Sequence, residues 1–217
     1  VPAPAHGALL QRCQFPPAGH HLDCAVSGGA DSLALLVLAV AAGCEVVAWH
    51  VDHGLRAGSA SEAELVRRAA AAMGAGFEGR HAAVPAGPNL EARARSCRRA
   101  LLPPDVATGH TADDQAETVL LNLLRGAGTA GLAGMRAGPR HPILRLRRSE
   151  TAGVVRDAGL IPFDDPSNAD PAFRRNRVRH ELLPLLADVA GRDVVPVLAR
   201  QAELLADDSD ALDDLAG

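Results

Sequence analysis

The chain has 217 residues, 47% of them hydrophobic, and a formal net charge of −4. That length fits one good-sized domain with at most a small appendage, and the apolar fraction supports a substantial core. No signal-peptide pattern and no run of about 18 apolar residues occurs, which points away from the membrane and toward the cytoplasm. The mild acidity argues weakly against a partner held by bulk positive charge. Aromatic residues are scarce (no Tyr, four Phe, one Trp), so the core rests on Ala, Leu and Val. All 22 Lys+Arg positions are arginine. Cys13, Cys24, Cys44 and Cys97 form no C-x-x-C pair. Cys24 and Cys44 lie in apolar runs and read as buried, reduced thiols.

In chain order, short apolar runs alternate with longer helical patterns. "LDCAVS" (22–27) predicts a strand and is followed by a helix over 31–42. "CEVVAWHVD" (44–52) predicts a second strand, with a helix over 59–73. "FEGRHAAV" (77–84) predicts a third, with a helix over 89–102, and "DVATGH" (105–110) a fourth, with a helix over 113–125. This alternation predicts an α/β fold, a Rossmann-like parallel sheet with helices on both faces. A Gly-rich, then basic stretch follows from 126, with a short strand expected at "PILRL" (142–146) and a helix over 149–158. After the turn-rich "PFDDPSNADP" (162–171), the chain reads as helical from about 176. The expected division is a catalytic domain over 1–185 and a helical C-terminal extension over 186–217.

The polar clusters fall at the carboxyl ends of the predicted strands, where parallel sheets bind ligands. Ser27-Gly28-Gly29-Ala30-Asp31-Ser32, between a strand and a helix, is built to bring backbone N–H groups around an anion. A Walker loop would need a lysine, and the chain contains none. Asp31 would repel a bare phosphate, so the local reading is a magnesium-dependent phosphate cradle of another type. "HVDHGLR", with His50 and His53, reads as a polar strand end in preference to a zinc site. In "GHTADDQAET", Asp114 and Glu117 share a helix face, with His110 beside them. That set fits either a magnesium site or a pocket for a cation. "RRNRVRH" (174–180) is either a solvated helix face or a positive field for phosphates. The acidic tail after Arg200 reads as a solvated helix face.

Taken together, these motifs resemble the PP-loop ATP pyrophosphatases, whose S-G-G-x-D-S signature stands at Ser27–Ser32. Within that superfamily the chain is similar to the tRNA(Ile)-lysidine synthetase family. The narrower resemblance rests on "HVDHGLR", "NLEARARSCRRALL" (89–102), "GHTADDQAETVLLNLLRGAG" (109–128) and "FDDPSNADPAFRRNRVRHELLP" (163–184). It implies an adenine nucleotide alpha hydrolase-like fold of PP-loop type, with ATP as substrate and Mg²⁺ as metal. The implied partners are the CAU-anticodon tRNA(Ile) and free L-lysine, and monomer and homodimer are both left open. The implied reaction adenylates the wobble cytidine and then replaces AMP with lysine. By the same resemblance, Ser27, Gly28, Gly29, Ala30, Asp31, Ser32 and His53 bind ATP, with Asp31 acting through Mg²⁺. Asp31, His110, Asp114 and Glu117 are the expected catalytic residues, and Asp114 and Glu117 receive lysine. Arg99, standing where the family usually has Tyr, is expected on tRNA together with Arg174, Arg175, Arg177 and Arg179. The competing readings are a PP-loop tRNA thiolase, which would use cysteines for sulfur, and a non-catalytic adenine-nucleotide-binding protein.

Overall fold

Buried Leu22 and Cys24 alternate with more accessible neighbours along β1 (His21–Ala25), the pattern of a strand with one face in the core. The computed structural model describes residues 6–52, 59–82 and 90–216. A short helix, α1 (Gly7–Leu10), precedes β1. The parallel partners of β1 are β2 (Glu45–Asp52), with Cys24 opposite Ala48, and β4 (Ala107–Thr108), with Cys24 opposite Ala107. Beyond β2 lies β3 (Gly76–His81), so the order is β3-β2-β1-β4. The chain therefore runs outward to β3 and returns to the other side of β1. The loops leaving β1 and β4 meet at this reversal, the topological switch point where such sheets bind ligands.

Helices α2 (Ala30–Ala41), α3 (Ser59–Met73) and α4 (Leu90–Leu101) make the crossovers, and α5 (Ala112–Leu123) follows β4. Helices α2 and α3 pack on the sheet and against each other. Every residue from Leu33 to Ala39 is buried, because α2 is covered by the sheet, by α3 and by α7 (Arg148–Asp157). An evenly apolar helix is what such a position requires. These elements match the predicted alternation closely. The third strand ends earlier than expected, and residues 83 and 84 of its predicted run lie outside the described segments, as does His53.

"PILRL" is a correction. Residues 142–146 form consecutive turns and not a strand, with Leu144 N–H donating to His141 and Leu146 N–H to Ile143. Its neighbour Arg140 offers a carbonyl to Thr108 N–H (2.9 Å), and Leu146 offers one to Ala112 N–H (2.8 Å). The segment satisfies its backbone locally and by bracing the end of β4, while Ile143 and Leu146 fill the core.

After α6 (Thr129–Leu132) and α7, a 3-10 turn (Pro166–Ala169) leads into α8 (Arg174–Arg177). That helix continues through a π-helical turn (Val178–Leu182) into α9 (Leu183–Ala190), and α10 (Val195–Ala216) follows. Ala112, Ala116 and Leu120 of α5 form a second core with Val178, Leu183 and Val195. Helix α10 packs on α5 and α6. Its acids are not wholly solvated: Glu203 accepts from Arg145 and Asp210 from Arg136. All four cysteines are free, with Cys24 and Cys44 buried. Among the described residues no helix is long and apolar enough to cross a membrane.

A tight passage lies at Gly109, where β4 leads into the α5 loop. A Cβ there would lie 2.6 Å from the Asp31 carbonyl oxygen and 3.0 Å from Ser32 Cα, backbone atoms that cannot swing aside. Gly109→Ala should therefore cost about 1–3 kcal/mol of stability through overpacking. Urea unfolding followed by fluorescence of the single Trp49 would check this, and an unchanged midpoint would refute it.

Candidate active site

The loop after β1 is braced from inside. Ser32 Oγ donates to the Gly29 carbonyl (2.9 Å) and accepts from Ser27 N–H (3.1 Å), so the Ser32 side chain shapes the turn. Gly28 takes a left-handed φ of +92°, which a side chain would strain. Its carbonyl accepts from Phe163 N–H, pinning the loop to the segment after α7. Gly29 is the N-cap of α2 and makes no side-chain cap bond. The first-turn amides of a buried twelve-residue helix therefore open toward the switch point, a cradle suited to polyphosphate.

Asp31 stands in the first turn of that helix. Its Oδ1 accepts from Thr151 Oγ1 and its Oδ2 from Arg148 Nε (3.4 Å), both on α7. Burial pushes its carboxyl up from the ordinary value, more than Thr151 and Arg148 offset it, and the Asp114 charge adds to the rise. A hard cation beside Asp31 would reverse that rise, so this oxygen donor fits Mg²⁺ chemically.

Beyond Asp31 lies the densest charge cluster among the described residues. Glu117, on α5, is fully buried. Its Oε1 accepts from Arg179 Nε (2.7 Å) and from both terminal nitrogens of Arg148 (3.2 and 3.3 Å). Its Oε2 accepts from Arg175 Nε (2.6 Å) and Arg179 Nη2 (3.2 Å). One turn earlier, Asp114 Oδ2 accepts from the Thr111 N–H and hydroxyl (2.9 Å each), starting the helix. Its Oδ1 accepts from Arg148 Nη2 (2.9 Å) and Arg175 Nη2 (3.1 Å). Burial alone would raise the Asp114 carboxyl, but Arg148 and Arg175 hold it below the ordinary carboxylate range. Next to it, Asp113 ties α5 to α7 by accepting from Arg147 and from the Arg148 N–H (2.8 Å).

The run at 174–180 thus divides by helical phase. Arg175 and Arg179, four apart, turn inward onto Glu117, while Arg177 pairs with Glu181 on the surface (2.9 Å). Arg174 lies beside Leu121, Leu124 and Leu185 on the rim of an open cavity of about 430 Å³. Arg99 is exposed on α4, and among the described residues no ion pair joins it to this cluster. His110 and His141 point their Nδ1 atoms at Thr108 Oγ1 (2.7 and 2.8 Å), whose hydroxyl donates to the Arg140 carbonyl (3.2 Å). The two Nδ1 atoms also face each other at 3.3 Å. Burial, helped by Arg140, lowers the His141 pKa. His50 lies apart, with Nδ1 against the Val26 carbonyl.

The structure therefore brings Ser27–Ser32, Asp31, Asp114, Glu117, Arg175 and Arg179 together at the switch point, and leaves Arg99, Arg174 and Arg177 outside it. Sequence reasoning missed Arg148 and Thr151. Their i, i+3 spacing at the start of the helix predicted over 149–158 was the available signal, hidden by the basic run "RLRR". Neither the 430 Å³ cavity nor another of about 470 Å³ between α5 and α10 includes the loop or Glu117.

Glu117→Gln keeps the shape but removes the charge that three arginines share. Leaving those cations uncompensated should cost about 3–5 kcal/mol in unfolding free energy. Arg177→Gln, at the exposed pair, should leave the urea midpoint unchanged. Equal midpoints for the two variants would contradict the assignment of Glu117 as the buried hub.

Comparison with known proteins agrees with this geometry. The family model described as "PP-loop domain" matches residues 8–186. A tRNA(Ile)-lysidine synthase of Rhodococcus erythropolis is 45% identical over 207 residues, covering 88% of this chain and 62% of that protein. The Nocardia farcinica protein of that name is 44% identical over 215 residues (93% and 66%). One from Mycobacterium tuberculosis is 44% identical over 200 residues (88% and 61%). The chain thus spans less than two thirds of the length of these relatives. Among solved structures, the U34-tRNA thiolase NcsA from Methanococcus maripaludis superposes with a TM-score of 0.71 at 16% identity, covering 92% of this chain and 78% of that one. NMN synthetase from Francisella tularensis gives 0.51 at 11% identity, covering 89% and 86%. These two likenesses are of fold alone. The strand order, the Ser27–Ser32 cradle and the match over residues 8–186 converge, and the chain belongs to the PP-loop family of ATP-binding domains.

Proposed function

We propose that this chain carries the catalytic part of a tRNA(Ile)-lysidine synthetase. In this reading it joins free L-lysine to carbon 2 of the wobble cytidine in the CAU anticodon of tRNA(Ile), converting ATP to AMP and pyrophosphate. Residues 1–185 are the catalytic unit, and 186–217 the helical extension. The observation that carries the reading is Arg148, whose guanidinium contacts Asp31 of the nucleotide loop and also Asp114 and Glu117. Nucleotide loop and acid pair are therefore parts of one site. Relatives that bear this function in their names are 44–45% identical to the chain.

The chemistry follows from the residues. The cytidine 2-carbonyl oxygen attacks the α-phosphorus of ATP, pyrophosphate leaves, and the lysine amine then attacks carbon 2 and expels AMP. The amides at Ser27–Ser32 hold the phosphates, and Asp31 would hold Mg²⁺, which would supply neutralisation of phosphate charge. Asp114 and Glu117 receive the ammonium, and His110 at the end of β4 takes the proton that the amine must lose. Arg174, Arg177 and Arg99 face tRNA phosphates, whereas Arg175 and Arg179 serve the acid cluster. A thiolase reading is disfavoured because burial pushes the Cys24 and Cys44 thiols up, away from the reactive thiolate.

Incubation with ATP, labelled lysine and unmodified tRNA(Ile) should transfer label to the RNA, and Asp31→Ala should abolish pyrophosphate release. Pyrophosphate release with no lysine in the RNA would sink the synthetase reading.

The tRNA contact has its own test. Arg174→Ala should weaken tRNA binding and flatten its salt dependence by roughly one unit of slope, one phosphate contact being lost, with ATP affinity unchanged. An unaltered slope would return Arg174 to an ordinary surface position.

A further inference from the structure

The acid pair that the proposed function assigns to a substrate ammonium is already occupied by cations of the chain itself. Asp31, Asp114 and Glu117 are matched by Arg148, Arg175 and Arg179, one guanidinium for each carboxylate. Glu117 is fully buried and Asp114 nearly so, with 0% and 11% of their side chains exposed. An additional ammonium placed there would be an uncompensated charge in a medium that solvates it poorly. Arginine keeps its proton at any ordinary pH, so the balance can change only by movement.

One of the three guanidiniums is suited to move. Arg175 and Arg179 hold Glu117 by their Nε atoms at 2.6 and 2.7 Å. Arg148 reaches Glu117 only at 3.2–3.3 Å and Asp31 at 3.4 Å, its one short bond being to Asp114 at 2.9 Å. Its backbone N–H is fixed by Asp113, so the side chain can swing while α7 stays in place. It is also the arginine that touches Asp31, next to the open amides of α2 where phosphates would lie.

We propose that Arg148 is an exchangeable internal cation. It occupies the ammonium seat between Asp114 and Glu117 in the resting protein and transfers to the phosphates when a nucleotide arrives. Nucleotide binding thereby opens the seat, and amine binding follows it. This rests on the lysine-ligase reading and adds an order of binding and a positioning role for Arg148.

Equilibrium dialysis of labelled L-lysine tests it without turnover. Binding to the wild-type chain is measured with and without an ATP analogue carrying a methylene group between the α- and β-phosphorus. Lysine affinity should rise at least tenfold with the analogue, and by linkage the affinity for the analogue should rise by the same factor with lysine. In Arg148→Met the seat is open without nucleotide, so lysine should bind with the analogue absent and the dependence should collapse. The wild-type measurements decide the matter should that variant fail to fold. Lysine that binds the wild type equally with and without the analogue overturns the exchange and leaves the synthetase reading standing. Lysine that binds under neither condition, and enters no RNA, overturns both.

Discussion

Glu117 is a carboxyl group withdrawn completely from water, and three guanidiniums surround it. That arrangement organises much of the molecule. It draws α8 and the π-helical turn against α5, fixes the start of α7 beside the nucleotide loop, and selects which arginines of a basic run face inward. Buried ion pairs are weak contributors to net stability, because desolvation offsets most of their attraction. Position is what this network secures. Each guanidinium has a planar fork of donors that engages two carboxylate oxygens at set angles. The all-arginine composition suits such a network, since a lysine could supply charge but not the fork.

The sheet supplies the place for this cluster. Reversal of strand order at β1 and β4 puts the two loops side by side, and Gly109 lets their backbones approach to a distance that no side chain would allow. Phosphate-binding amides come from one loop and the acid pair from the helix after the other. Between them lies α7, whose first turn contributes Arg148 and Thr151 to Asp31. A site assembled at three helix N-termini has directional N–H donors at hand and acids that stabilise helix starts. The structural constraint and the chemical one favour the same residue types.

The acidic C-terminal helix fits the same electrostatic pattern. Its acids face the basic stretch at 136–147 through Arg136 and Arg145, and Asp193 just before it pairs with Arg147. The exposed pairs add little stability individually. They align α10 along α5, whose inner face carries Glu117. The outer layer of helices thus supports the element on which the site depends.

Much of this was legible in the sequence, for physical reasons. The alternation of short β-branched runs with helix-length apolar patterns determines a parallel α/β sheet, and Ser27–Ser32 between strand and helix determines an anion cradle, because both are local consequences of periodicity and backbone freedom. The i, i+3 spacing of Asp114 and Glu117 likewise determines a shared face. Tertiary structure alone decided what those carboxylates touch. Arg148, Arg175 and Arg179 lie 31 to 62 residues away along the chain from Glu117. Arg175 and Arg179 share one basic run with Arg174 and Arg177, which end on the surface, and the packing against α5 decides which helical phase turns inward. The strand expected at "PILRL" failed for the same reason. Its composition suits a strand, but the start of α5 takes the Leu146 carbonyl, the end of β4 takes that of the neighbouring Arg140, and the Ile143 carbonyl closes a turn with Leu146.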